Sequence, residues 1–537
     1  MMEIGVTEKK LDVLIIGAGF AGMYMLHRAR DLMGLKAQVF EAGEGVGGTW
    51  YWNRYPGARC DSESYYYSYS FSKELEQEWN WSSRYPGQPE ILSYLEHVAD
   101  RFKLRSNIDF NTRVEALTFD ESNDSWLVQT DSGDTVLARY VVSCVGCLST
   151  RNIPNFKGVE TFEGDWYHTG AWPHEGVDFS GKRVGLIGTG STGIQATPVI
   201  AAESKHLTVF QRTPNFSIPA RNAPLEEKTL SDIKENYQHI RDLCKGSDNG
   251  FPFIPVDRAA KDVGEEDRTK IYDELWELGG FRLLVESFND LTIDEFANET
   301  AANYIRQKIR EMVNDPKIAE MLCPYDHPYG TKRPPIDTNY YDTYNRDNVS
   351  LIDVRKAPIV EITPRGVRTE DSEYELDVLV FATGFDAMTG PLLAMNIQGM
   401  NGQTLKDAWE AGPRTYLGLQ VAGFPNLFTV TGPGSPSVLT NMPVSIEQHV
   451  EWISDCIEFM NSGGKSRIVA NEDAQEEWVK HVSEIADDTL YPKANSWYVG
   501  ANVPGKTRVF MPYVGGMKMY REKCDEVVDG GYKGFSV

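Results

Sequence analysis

Asp12-Val13-Leu14-Ile15-Ile16-Gly17-Ala18-Gly19-Phe20-Ala21-Gly22 runs a short β-branched apolar stretch straight into a glycine-rich turn. The apolar run predicts a buried strand, and Gly17, Gly19, Phe20 and Gly22 predict a tight turn that opens a helix. The next predicted strand, Ala37-Gln38-Val39-Phe40, ends on Glu41, 24 residues after Gly17. Together these features compose a dinucleotide-binding unit. The glycines let a pyrophosphate approach the N–H groups at the helix start, and the terminal acid accepts hydrogen bonds from ribose hydroxyls.

A second unit repeats the pattern. Arg183-Val184-Gly185-Leu186-Ile187 leads into Gly188-Thr189-Gly190-Ser191-Thr192-Gly193, and the following strand, Leu207-Thr208-Val209-Phe210, ends in Gln211-Arg212-Thr213. Arg212 stands 24 residues after Gly188, at the place Glu41 holds in the first unit. An acid there repels a 2′-phosphate, whereas a guanidinium grips one bidentately. The second nucleotide is therefore expected to be NADP, held by Gly188, Gly190, Ser191, Thr192, Gly193, Arg212 and Thr213. Two dinucleotide sites in one chain imply a flavin and a nicotinamide exchanging a hydride. By analogy with other two-dinucleotide flavoproteins, the first site takes FAD.

Tyr140-Val141-Val142-Ser143-Cys144-Val145-Gly146 looks like the strand leading out of the FAD domain. Asp377-Val378-Leu379-Val380-Phe381, followed by Ala382-Thr383-Gly384-Phe385-Asp386, looks like the strand leading back, with Asp386 a candidate FAD contact. Between about Pro224 and Leu322 the pattern turns helical, with apolar residues at three- and four-residue spacing over Glu227–Cys244, Glu265–Leu278 and Asn298–Leu322. Asn298-Glu299-Thr300 suits the start of the last of these. Further helices are expected at Ser445–Met460 and Glu472–Ala486, and a strand at Leu427–Val430. The fold class is thus α/β: two Rossmann-like domains, for FAD (1–149 and 385–537) and NADP (150–222 and 334–384), with a helical insert at 223–333 in the NADP domain.

Bulk properties narrow the function. A chain of 537 residues is too long for one core. With 41% hydrophobic and 24% charged residues it is globular. Its formal charge of −25 disfavours nucleic acid and anionic membranes, both of which need a cationic surface. No apolar run reaches the roughly 18 residues of a membrane span, and the polar start Met1–Lys10 lacks a signal peptide's apolar region. Seven cysteines form no disulfide framework in so long a chain, so a reducing cytoplasm is expected. No metal-ligand pattern stands out.

Four further motifs carry a family resemblance. The first is Phe162-Glu163-Gly164-Asp165-Trp166-Tyr167-His168-Thr169-Gly170-Ala171-Trp172-Pro173, which lies 15 residues ahead of Gly188. It resembles, position for position, the fingerprint of Baeyer–Villiger monooxygenases, flavoenzymes that insert one oxygen atom of O2 beside a ketone carbonyl. Gly47-Gly48-Thr49-Trp50 with Tyr55-Pro56-Gly57 and Asp61 is similar to that family's second signature and adds Gly48, Thr49, Trp50 and Asp61 as FAD-side candidates. Gly330-Thr331-Lys332-Arg333-Pro334-Pro335 reads by composition alone as a solvated basic turn. The resemblance implies instead that Arg333 lies over the flavin and that Lys332 assists Arg212 at the 2′-phosphate. The two prolines stiffen the exit. Ala494-Asn495-Ser496-Trp497 resembles the segment whose tryptophan closes over NADP.

The resemblance implies a mechanism. NADPH reduces FAD, and O2 adds to the reduced flavin to give a C4a-peroxide. This attacks the ketone to form a tetrahedral (Criegee) adduct, which rearranges to an ester or lactone. Arg333 would stabilise the anionic species by fixed charge, and Asp61 would orient Arg333 without moving a proton. His168 is an apparent general base, but a histidine between two domains is better suited to anchoring them. Phe162, Gly164, His168, Thr169 and Trp172 are accordingly read as domain-coupling residues.

Two rivals share much of this apparatus. A flavin N- or S-oxygenase would not be expected to carry both Asp61 and Arg333, although sulfoxidation as a side reaction is expected here too. A disulfide reductase is suggested only by Cys144 and Cys147, which sit where a strand should simply leave the FAD domain. The loop Gly432–Met442, through Ser437, Val438, Leu439 and Met442, is expected to border the carbonyl pocket. The partners expected are a small ketone and O2, with the chain a monomer.

Overall fold

The computed structural model describes residues 9–537, so of the polar start Met1–Lys10 all but the last two residues lie outside the described residues. The first sheet contains β1 (Lys9–Ile16), β2 (Ala37–Phe40), β3 (Ile108–Asp109), β4 (Val114–Asp120), β5 (Ser125–Thr130) and β6 (Thr135–Ser143), joined by Asn396–Gln398 and Leu427–Thr429. Here β6 does two jobs. Its first half pairs antiparallel with β5, while Val141–Ser143 pair in parallel with Leu427–Thr429. Its other edge runs parallel to β1, which in turn pairs with β2, and β2 with β3.

The unbroken apolar character of Val13–Ile16 follows from burial on both faces, as parallel sheets require. Side chains alternate across a strand, so Val13 and Ile15 join the core under the helices, while Leu14 and Ile16 join one shared with Phe40, Trp126 and Phe424.

The second sheet is parallel throughout. Its order is Val349–Asp353, β9 (His206–Gln211), β8 (Arg183–Ile187), Val378–Phe381, and β7 (Asp165–His168) at the edge. A three-stranded antiparallel ribbon, Ile359–Thr363, Gly366–Thr369 and Glu373–Glu375, packs Ile362 and Val367 against Phe210, Leu379 and Phe381 of this sheet. Both glycine turns leave the carboxyl ends of their strands, where open α/β sheets bind ligands.

The helical segment holds Glu227–Gly246, Glu265–Leu278, Glu295–Met312 and Pro316–Leu322. Two expectations fail here. The helix expected over Asn298–Leu322 is two helices, because Pro316 lacks the N–H needed to continue the first and instead opens the second, capped by Asp315. The first also begins earlier, with the Asp294 carboxylate capping Ala297 N–H at 2.8 Å. Asn298 is a buried residue inside that helix, where its amide donates to the carbonyls of Leu291 and Tyr329. The chain leaves for this segment along Ile218–Pro219 and returns along Ile336–Asp337, and these two short strands pair in parallel. Helices Met442–Ser462 and Glu472–Asp487 lie within one or two residues of expectation except that the former starts three residues early. Among the described residues no helix is long and apolar enough to cross a membrane.

Candidate active site

The two glycine turns are built alike. Gly17 and Gly188 have φ of +100° and +117°, a conformation suited to glycine. A Cβ on Gly22 would lie 1.7 Å from the Gly17 oxygen, and one on Gly193 would lie 2.1 Å from the Gly188 oxygen. The last glycine of each turn thus lets the helix seat directly on the turn. The middle glycines differ: Gly19 faces Gly48 Cα at 3.4 Å from its Cβ direction, whereas nothing lies within 4 Å of that of Gly190. Open space over Gly190, at the start of helix Ser191–Glu203, fits a pyrophosphate.

Glu41 is 4% exposed. Its Oε2 accepts from Ala18 N–H and its Oε1 from Gly43 N–H, both at 2.7 Å. Burial pushes its pKa up, against the pull of these amides. The carboxylate therefore braces the first turn, and each oxygen keeps capacity for a ribose hydroxyl.

Around the second turn the charges reverse. Arg212 is exposed at the end of β9 and Lys332 is half-buried, and neither forms a salt bridge among the described residues. Burial lowers the Lys332 pKa, and the positive charges of Arg212 and Arg355 lower it further, against Asp326. Cations held close together, neither Arg212 nor Lys332 in a salt bridge among the described residues, fit a phosphate in so acidic a chain. Both turns open into one cavity of about 1560 Å³, lined among others by Glu41, Asp61, Arg212, Lys332, Arg333 and Trp497. It exceeds the roughly 300–1,000 Å³ of an ordinary single-ligand pocket.

Arg333 and Asp61 meet at this cavity. Arg333 Nε donates to Asp61 Oδ2 at 2.5 Å and Nη2 to Oδ1 at 2.9 Å, while Nη1 donates to the Val438 carbonyl at 2.8 Å. The two side chains are 20% and 24% exposed. Burial acts against the guanidinium charge, but Asp61 more than offsets it and raises the Arg333 pKa. With three of a guanidinium's five N–H groups engaged, two remain for an anion.

The fingerprint sits elsewhere. Its Asp165–His168 portion, expected as a linker, is the edge strand β7, with His168 opposite Phe381 on the strand leading back. A Cβ on Gly164 would lie 2.4 Å from the Asp377 oxygen, so glycine permits that close pass. Phe162 packs against the ribbon's core, and Trp172 against Tyr167 and Phe179. Thr169 Oγ1 donates to the Phe381 carbonyl at 3.4 Å.

His168 is 2% exposed; Gly170 N–H donates to its Nδ1 at 3.0 Å, and its Nε2 lies 3.4 Å from Thr383 Oγ1. Thr383 donates in turn to the Asn152 carbonyl at 2.7 Å. The outgoing and returning linkers are bonded there, through Asn152 N–H to Gly384 O at 2.9 Å and Asp386 N–H to Thr150 O at 2.8 Å. Burial first, then the charge of Arg151, lowers the His168 pKa to about 4, so the imidazole is neutral. Of the fingerprint only Gly170 and Ala171 line the cavity.

Other expected residues divide similarly. Gly17, Gly19, Phe20, Gly48, Thr49, Trp50, Gly188, Gly190, Ser191, Thr192 and Thr213 line the cavity. Asp386 does not; its carboxylate pairs with Lys506 Nζ at 2.5 Å. Of the Gly432–Met442 loop, Val438 and Met442 line it, whereas Ser437 is buried and donates to the Thr431 carbonyl at 3.2 Å. Leu439 packs beside them without lining it.

Cys144 and Cys147 are buried and free, and burial pushes the Cys147 thiol up to about 11, the reverse of an activated redox pair. Sequence reasoning missed Gln195, which joins the two units. The Tyr55 hydroxyl donates to its Oε1 at 2.8 Å, its Nε2 donates to the Arg59 carbonyl at 3.1 Å, and a Cβ on Gly57 would lie 2.4 Å from its carbonyl. A glutamine inside a helix carries no local signal of such a contact.

A dinucleotide turn of each charge type, opening on one cavity with a clasped arginine between them, defines a flavoprotein that uses a nicotinamide. Residues 14–246 match the family described as pyridine nucleotide-disulphide oxidoreductases. A Baeyer–Villiger monooxygenase of Pseudooceanicola batsensis is 46% identical over 97% of this chain and 95% of its own length. A steroid monooxygenase solved with NADP is 52% identical, covering 98% of this chain and 99% of its own, with a TM-score of 0.94. The protein OTEMO, solved with FAD and NADP, is 41% identical over 99% of this chain and all of its own, with a TM-score of 0.95. The chain belongs to the Baeyer–Villiger monooxygenases, oxidoreductases that use FAD and NADPH and incorporate one oxygen atom.

Proposed function

We propose that this chain oxygenates an apolar ketone to an ester or lactone, with Arg333 as the catalytic cation and Asp61 as the residue that positions it. The observation that carries this reading is the Arg333–Asp61 fork at the wall of a cavity shared by both nucleotide turns. Bound FAD would supply the activation of O2, and NADPH the hydride that prepares it.

This chain's own residues do the rest. Gly17, Gly19, Gly48, Thr49 and Trp50 cradle the flavin nucleotide, and Glu41 takes its ribose. Gly188, Gly190, Ser191 and Thr192 receive the second pyrophosphate, and Arg212, Thr213 and Lys332 the 2′-phosphate. Negative charge that develops beside Arg333 meets a cation already oriented, so no reorganisation is needed. Nη1 and Nη2 keep hydrogens for that charge, while Asp61 holds the plane of the guanidinium. Trp497 covers the nicotinamide side and excludes water. Cys147, Leu148, Val438, Met442 and Ile446 give the neighbouring wall an apolar character suited to a neutral ketone. The fingerprint acts at a distance, with His168 and Thr383 tying the two linkers together. Domain bounds at 149/150, 222/223, 333/334 and 384/385, a monomeric state, a cytoplasmic location and a sulfoxide-forming side activity complete the reading.

The test is a product screen of the purified holoenzyme with linear, cyclic and aryl ketones, NADPH and O2. Ester or lactone from at least one class supports the reading. NADPH oxidation yielding only hydrogen peroxide with every ketone contradicts it.

A further inference from the structure

The helical insert carries the turn Gly279-Gly280-Phe281-Arg282, for which the roles above have no use. Gly279 and Gly280 have φ of +72° and +67°. Cβ atoms there would lie 2.6 Å from the Pro219 oxygen and 2.1 Å from the Tyr85 hydroxyl, so the turn is pressed between the strand Ile218–Pro219 and Tyr85. Gly280 N–H donates to the Pro219 carbonyl at 3.0 Å.

The residue delivered by this turn is Phe281, buried, stacked on Phe251 at 5.4 Å and 15°, with its ring 4.8 Å from Arg333 Cζ. Its neighbour Arg282 pairs with Glu286 at 2.8 Å and approaches Glu63 at 3.9 Å. Glu63 is buried and also receives Arg84 Nη2 at 2.7 Å and the Tyr65 hydroxyl at 2.6 Å. The loop that offers Asp61 to Arg333 thus offers Glu63, two residues on, to the neighbour of Phe281.

We propose that Phe281 is a second positioning residue for Arg333, its aromatic face holding the guanidinium that Asp61 grips by the edge. This rests on the reading of Arg333 as the catalytic cation. The Asp61 fork and the Val438 carbonyl hold the guanidinium through hydrogen bonds at its edge. An aromatic face opposes tipping through its quadrupole and keeps water from that side of the cation. The insert thereby contributes to the chemistry through a ring that does not line the cavity.

The experiment compares Phe281→Leu, which keeps apolar bulk without the ring, with Phe281→Tyr, which keeps the ring. Each holoenzyme is assayed for ester formed per NADPH consumed, using a ketone the wild type converts. Each is also labelled with 15N-arginine, and the Arg333 Nε–H resonance is assigned by its loss in Arg333→Lys. The expected result is a fall in coupling of about five- to thirtyfold in Phe281→Leu, the range of a partly desolvated cation–π contact. The Arg333 resonance should move downfield as ring shielding is lost, and Phe281→Tyr should restore both signals. Unchanged coupling or an unmoved resonance in Phe281→Leu overturns the proposal, as does a Tyr variant as impaired as the Leu one. A wild type that converts no ketone overturns the reading of Arg333 instead, and the resonance still reports whether the ring holds it.

Discussion

Arg333 and Asp61 lie 272 residues apart in the chain and meet side-on through two hydrogen bonds of 2.5 and 2.9 Å. The fork joins the loop after the first nucleotide unit to the end of the helical insert, so the cation is fixed only when both are folded. Asp61→Asn keeps the shape but removes the anion and leaves a partly buried guanidinium poorly paired. Hydrogen bonds to charged groups contribute about 1.5–3 kcal/mol, so ester turnover should fall by roughly tenfold to a hundredfold. Anaerobic stopped-flow should find flavin reduction by NADPH within about twofold of wild type. A reduction rate that collapses in parallel would place Asp61 at the hydride step instead.

Arg212 and Lys332 line the cavity beside the second turn, neither in a salt bridge among the described residues, and the charge of Arg212 acts on Lys332. Arg212→Ala should raise the KM for NADPH by about tenfold to a hundredfold, the scale of a lost charge-assisted hydrogen bond. The KM for NADH should hardly move. Lys332→Ala should give the same preference in weaker form. Equal damage to both nucleotides would remove the 2′-phosphate from the account.

Gly190 and Gly193 should fail differently. A methyl group at Gly190 enters open space, so Gly190→Ala should melt like the wild type yet bind NADPH at least tenfold more weakly. A methyl group at Gly193 meets the Gly188 oxygen, and overpacking of that kind costs roughly 1–3 kcal/mol, so Gly193→Ala should melt lower. Tight NADPH binding by Gly190→Ala would show that the nucleotide takes another path.

His168 is neutral in the folded protein, its pKa lowered from 6.5 to about 4. The unfolded chain therefore binds an extra proton between those values, and folding loses stability as pH falls from about 6.5 towards 4. His449, buried and lowered to about 3, acts in the same direction. Denaturant titrations of His168→Gln should give a shallower loss of stability across this window, with ester formation showing no new pH dependence above 6.5. A rate that loses its acidic limb in His168→Gln would make the histidine a proton-transfer group after all.

What was legible in the sequence was local. Strand, glycine turn and terminal residue follow within about two dozen positions of each other, and backbone sterics force them into one arrangement, so both nucleotide units and the charge reversal from Glu41 to Arg212 could be read directly. Helix ends were less legible. Asn298 has the polar character of a cap, but its amide is taken by carbonyls of Leu291, just ahead of the helix, and Tyr329, 31 residues on. The strand at Asp165–His168 escaped notice because four residues with no alternation carry no periodic signal, and only pairing with Val378–Phe381 makes them a strand. Physics alone read Lys332-Arg333 as solvated. Its meaning lies in contacts with Asp61, Val438 and Phe281, none of them near it in the chain. Asp386 shows the converse: a place in a motif suggested the flavin, and a lysine 120 residues later takes the carboxylate.

Oxygen insertion depends on the fixed charge of Arg333 in the proposed function, and 18O2 tests this most directly. Wild-type holoenzyme, supplied with NADPH, 18O2 and a ketone from the screen, should yield ester carrying one 18O atom. Arg333→Ala should consume NADPH and release hydrogen peroxide while making at least a hundredfold less labelled ester, the scale of a lost preorganised charge. Labelled ester from Arg333→Ala at the wild-type yield would contradict the account.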